Sequence, residues 1–100
     1  MKKLSDIIRS LREQNGYLLR QVASEIQIDQ ALLSKIERNE RLPTKEQVLR
    51  LAKFYGTNEH ELLIAFLSDK LANEVCYEEY GLEALKMAEK KVKYRKLRSK

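Results

Sequence analysis

An all-α fold is predicted for this 100-residue chain by three features of its sequence. Gly and Pro are scarce, at three and one, so the turn punctuation that regularly spaced strands require is missing. Apolar residues recur at i, i+3, i+4 and i+7 in one segment after another, which is the period of a helix buried on one face. Twice, a capping residue stands three positions before Gln or Glu, the spacing that opens a helix: Thr44 with Gln47, and Asn58 with Glu61. With 43% apolar residues, the chain can build one compact core without a metal or a disulfide.

Leu4, Ile7, Ile8 and Leu11 predict a first helix from about Lys3 to Gln14, stopped by Asn15 and Gly16. Leu19, Val22, Ala23 and Ile26 predict a short second helix in which Ala23 allows close approach of a neighbour. Only Gln27, Ile28 and Asp29 precede the third helix, and the Asp29 carboxylate is expected to cap it. That third helix runs from Gln30 to Arg38 and stops at Asn39, a residue that tolerates left-handed backbone. Its inner side carries Leu32, Leu33 and Ile36, and its outer side carries Gln30, Ala31, Ser34, Lys35 and Arg38.

After a loop through Pro43, the Thr44 box opens a fourth helix with Val48, Leu51, Ala52 and Tyr55 inward, closing at Gly56. The fifth helix starts behind Asn58 and is expected to place Leu62, Leu63, Phe66 and Leu67 in the core, with Leu71 and Val75 extending the stripe. A break over Cys76 to Gly81 leads to a sixth helix marked by Leu82, Leu85, Ala88 and Val92, which grades into KKVKYRKLRSK. The last few residues are expected to be disordered and the basic run to be a solvated or frayed tail. The expected organisation is a domain over residues 1–75 followed by a C-terminal helix and basic tail over 76–100.

The net charge of +5 is unevenly spread: residues 1–58 hold 11 Lys/Arg against 7 Asp/Glu, residues 59–89 hold 2 against 8, and residues 90–100 hold 7 against none. A basic front half suits a polyanion, whereas the acidic middle is repelled by phosphate and should face away from nucleic acid. One Cys and one His, Cys76 and His60, assemble neither a zinc set nor a nucleophile with its base, and no Gly-rich phosphate loop is present. No enzyme, cofactor or metal is therefore expected. The absence of an 18-residue apolar run or an apolar leader predicts a cytoplasmic protein that spans no membrane.

The second and third helices, in GYLLRQVASEIQIDQALLSKIERNERLPT, resemble the helix-turn-helix of the Xre, lambda-repressor and Cro family. The resemblance spans roughly Leu4 to Leu67. It is carried by Gly16, the Val22-Ala23 pair, the short turn ending in Ile28-Asp29, and the run Leu33-Ser34-Lys35-Ile36-Glu37-Arg38. It implies a five-helix lambda-repressor-like DNA-binding bundle with an additional C-terminal helix. The implied function is a sequence-specific regulator of transcription in a prokaryote or phage, as a repressor or an autoregulating controller. The alternative is an antitoxin or another protein-interaction regulator using the same bundle, with a protein partner on the acidic segment from Glu74 to Glu89.

A helix about 10 Å wide fits the major groove, and the four expected base-reading residues have suitable chemistry. Gln30 matches adenine bidentately, Ala31 offers a methyl to thymine, Ser34 donates or accepts, and Lys35 donates to guanine O6 and N7. Arg20, Arg38, Asn39, Arg41 and Lys45 are the expected phosphate contacts. The resemblance implies a structural ion pair between Arg12 and Glu37 that links the first helix to the end of the third. Leu18 and Leu19 depart from the family's Thr cap and phosphate-binding Gln, so Leu19 is expected to pack partly under the third helix, leaving the backbone contact to nearby amides and Arg20. One such module buries too little DNA surface for tight selection, so a homodimer on a pseudo-palindromic operator is expected. Leu71, Val75, Leu82, Leu85 and Val92 are its candidate interface, with folding of the sixth helix onto its own subunit as the alternative.

Overall fold

The computed structural model describes residues 2–98, which form six helices and, among the described residues, no strand. In chain order they are α1 (Leu4–Gln14), α2 (Leu19–Glu25), α3 (Gln30–Glu37), α4 (Lys45–Tyr55), α5 (Glu59–Val75) and α6 (Gly81–Arg98). The chain divides into two compact units, the first ending at Lys70 and the second beginning at Leu71, so that α5 contributes to both. No helix among the described residues is long and apolar enough to cross a membrane.

The first unit is built on the inward stripes of its helices. Leu4 and Ile8 of α1, Val22 and Ala23 of α2, Leu33 and Ile36 of α3, Val48 and Leu51 of α4, and Leu62 and Phe66 of α5 are all buried in one cluster. Leu19 is half-buried against it, as its departure from the family pattern predicts. Helix ends are set by local chemistry where a cap is present. Thr44 accepts from the Gln47 N–H at 3.2 Å while the Gln47 side chain accepts from the Thr44 N–H at 2.9 Å, and Gly56 closes α4 in the left-handed region. Asn58 Oδ1 accepts from the N–H groups of His60 and Glu61, opening α5.

Four expectations are corrected. Asp29 lies at the N-cap of α3 but its side chain accepts no capping hydrogen bond. The α2–α3 turn is closed by backbone instead, with Gln27 at φ +60° and the Ile28 N–H donating to Ala23 O at 3.0 Å. Helix α3 stops one residue early, Arg38 becoming its C-cap and Asn39 the left-handed residue. Leu67 is half exposed, because it stands about 100° round α5 from the buried Phe66, on the same side as the exposed Ile64. The basic run is not a frayed tail as far as Arg98: it is the end of α6, and the disorder expected of Ser99 and Lys100 lies outside the described residues.

In the second unit, the end of α5 and α6 are joined by a tight turn over residues 76–80. Gly81 is buried there, whereas Leu71, Leu82 and Val92 are exposed and Val75 and Leu85 are half-buried.

Candidate nucleic-acid interface

Helix α3 packs against both α1 and α2, and this fixes which of its sides is free. Leu33, Ile36 and Glu37 are buried, while Gln30, Ala31 and Lys35 are exposed and Ser34 is half-buried at the edge. At 100° per residue, Gln30, Ala31, Ser34, Lys35 and Arg38 share an arc of about 140° opposite the buried side. The four expected base-reading residues therefore lie on one outward strip.

Two anchors from other helices hold α3 and its partner. Arg12 of α1 donates from Nε to both carboxylate oxygens of Glu37, at 3.0 and 2.9 Å, and from Nη1 to Tyr17 O at 3.0 Å. The Glu37 side chain is only 4% exposed, so this pair fastens the end of α3 to both α1 and the chain entering α2. The hydrogen bond to Glu37 raises the Arg12 pKa above its usual value against the opposing effect of burial. Arg50 of α4 donates to Ile26 O at 3.1 Å, satisfying a carbonyl at the end of α2, and pairs with Glu46 at 2.8 Å. Tyr17, Phe54 and Tyr55 pack in tilted and edge-on contacts, with Tyr17 and Phe54 ring centroids 5.1 Å apart. Burial, and then the charge of Glu37, pushes the Tyr55 phenol up to about 12, and its buried hydroxyl has no hydrogen-bond partner among the described residues. Because this folded pKa lies above the ordinary 10.0, the associated stability is full below pH 10 and is lost as pH rises through about 12.

The expected phosphate contacts Arg20, Arg38, Asn39, Arg41 and Lys45 are all exposed. Arg20 stands in α2, Arg38 and Asn39 at the end of α3, Arg41 in the following loop and Lys45 at the start of α4. They are not equivalent. Arg38 hydrogen-bonds the Glu40 carboxylate and donates from Nη1 to Ser34 Oγ. The Arg38 hydrogen bond, assisted by the charges of Arg38 and Lys35, holds the Glu40 carboxyl below its usual range. A phosphate at Arg38 must compete with Glu40, and Ser34, having accepted from Arg38, keeps its own hydrogen to donate outward.

Gln21, Glu40 and Arg50 were not singled out from sequence. Gln21 accepts from the Leu18 N–H at 2.8 Å, half of a capping box whose other half Leu18 has no oxygen to supply. That half was readable from the three-residue spacing. The contacts of Glu40 and Arg50 follow from turns and helix packing that the pattern does not encode.

The chain matches the helix-turn-helix family over residues 8–62. It is 36% identical over 72 residues to the HTH-type transcriptional regulator DdrOP3 of Deinococcus deserti, covering 70% of this chain and 56% of that protein. The chain thus spans little more than half the length of this curated relative. A solved structure described as a SinR protein/SinI protein complex superposes with a TM-score of 0.57 at 21% identity, covering 93% of this chain and 97% of the other. That likeness shows a shared fold.

Proposed function

We propose that this chain, which belongs to the helix-turn-helix family of lambda-repressor-like regulators, binds double-stranded DNA sequence-specifically and regulates transcription as a repressor or autoregulating controller. The observation that carries the reading is the single outward strip of Gln30, Ala31, Ser34 and Lys35, backed by a buried face and the Arg12–Glu37 pair. A reading helix must present a few matched side chains without rotating, and α3 is fixed at both edges. In this role Gln30 pairs with adenine, Ala31 packs on a thymine methyl, Ser34 donates to a base edge and Lys35 pairs with guanine. Arg20, Asn39, Arg41 and Lys45 hold phosphates, and Arg38 does so when it releases Glu40.

DNA reading belongs to residues 1–75, and residues 76–100, together with Leu71 and Val75 at the end of α5, complete a homodimer through Leu71, Val75, Leu82, Leu85 and Val92, three of which are exposed in the single chain. Two copies of α3 then face a pseudo-palindromic operator one helical turn apart. The name of the curated relative, a transcriptional regulator, supports this role, and acting on DNA in a prokaryote or phage host requires a cytoplasmic location.

Selection of bound sequences from random duplexes tests the reading. An inverted repeat with half-sites about 10 base pairs apart, or a multiple of that turn, is expected. Lys35→Ala then relaxes one position per half-site, costing about 1–3 kcal/mol of discrimination there. Arg41→Ala weakens binding to all duplexes alike and flattens the salt dependence. Recovery of no common sequence, with Lys35→Ala behaving like Arg41→Ala, contradicts base reading by α3.

A further inference from the structure

In the second unit Leu71, Leu82, Met87, Val92 and Leu97 are exposed, and the charges are sorted by position. The end of α5, the turn and the start of α6 enclose an open groove of about 660 Å³, with Val75, Leu82 and Leu85 among its lining and Glu78, Glu79 and Glu83 around it. Helix α6 then changes sign. From Lys90 to Arg98 it carries six Lys or Arg and no acid. Leu82 and Leu97 are 78% and 74% exposed, one at the acidic end of α6 and one at the basic end. Fifteen residues separate them, close to four full turns, so they share a side of α6 about 22 Å apart along its axis.

We propose that the groove at the acidic start of α6 receives the basic end of α6 from a second copy of this chain, the two α6 helices lying antiparallel. The proposal deepens the homodimer reading by assigning its register. A two-fold axis passing between Glu89 and Lys90 brings Leu82 of each copy onto Leu97 of the other and sets Glu89 against Lys90 across the axis. Each copy contributes one groove and one basic end, so a single arrangement covers both leucines and places both acidic rims beside cations. A parallel pair does the opposite, setting Glu78, Glu79 and Glu83 against their own equivalents and the basic end against another basic end. Charge order along the helix thus selects the orientation, and the exposed leucines select the register.

Cysteine pairing reads this directly, since a disulfide requires Cα atoms within about 7 Å. In a Cys76→Ser background, Leu82→Cys and Leu97→Cys chains are prepared separately, mixed, and oxidised mildly. Both positions are exposed, so each chain keeps its fold. The expected result is a covalent dimer in the mixture joining one chain of each kind, and none from either chain alone, because equivalent positions lie about 22 Å apart in the antiparallel pair. Self-linked dimers from either chain alone, or no link in chains that sediment as dimers, overturn the register and leave the homodimer standing. Sedimentation of the parent chain as a monomer overturns both.

Discussion

Glu37→Ala is expected to destabilise the first unit by about 3 kcal/mol, the low end of the ~3–5 kcal/mol that follows removal of one partner from a buried ion pair. The low end applies because the Arg12 side chain keeps 18% of its surface in water and can partly rehydrate once its carboxylate is gone. The loss exceeds that of a surface pair because both oxygens of a 4%-exposed carboxylate are engaged and because the same guanidinium also holds Tyr17 O. In a unit of this size the change corresponds to a fall in Tm of roughly 12–24 °C. If α3 reads DNA as proposed, DNA affinity falls with it, since Glu37 fixes the trailing end of α3. Thermal unfolding followed by circular dichroism checks the first effect, and operator titration below both melting ranges checks the second. A variant that melts like the parent but no longer binds would mean that Glu37 acts on DNA directly.

Gly81→Ala is expected to break the α5–α6 turn, although alanine is the better helix former by about 1 kcal/mol. A Cβ at this position would stand 2.3 Å from Val75 O and 3.1 Å from Val75 Cβ. The obstacle is a backbone oxygen that already accepts the Glu78 N–H at 3.0 Å, so relief requires the turn itself to open. Overpacking of this kind costs typically ~1–3 kcal/mol, and a clash with fixed backbone belongs at the upper end, outweighing the propensity gain. The groove depends on that turn, so the proposed dimer is expected to weaken while amide exchange in the first unit is unchanged. Sedimentation and residue-resolved hydrogen exchange measure the two effects. Retention of the dimer with unchanged exchange over residues 71–98 would show that the turn accommodates the methyl.

What could be read in the sequence was whatever chemistry closes within about one helical turn. The Thr44–Gln47 box and Gly56 bracket α4 because both caps are local, and the outward strip of α3 follows from 3.6-residue periodicity alone. Helix α1 shows the limit. Its Lys3 cap supplies no side-chain hydrogen bond, and the Leu4 N–H instead donates to Asp69 Oδ2 at 2.9 Å, 65 residues away. Asp29 looked like a cap by type, but the left-handed Gln27 closes the turn through backbone bonds, leaving the carboxylate without that task. The candidate site was legible as a set of positions. The tie of Arg38 to Glu40 and Ser34 was not, because it depends on how the chain bends after α3 stops at Glu37. The inward and outward roles of Leu67 were confused for a related reason: apolar residues run unbroken from Leu62 to Leu67, and only packing decides which side of α5 is covered.

The central claim is that the exposed strip of α3 lies against base edges. The direct measurement is a titration of the isotope-labelled chain with its selected operator duplex, followed residue by residue by nuclear magnetic resonance. The expected result is that the largest shifts fall on Gln30, Ala31, Ser34 and Lys35, with smaller ones at Arg20, Asn39, Arg41 and Lys45. Saturable binding of that duplex with the four α3 residues unmoved, and the shifts confined to α6, would contradict it.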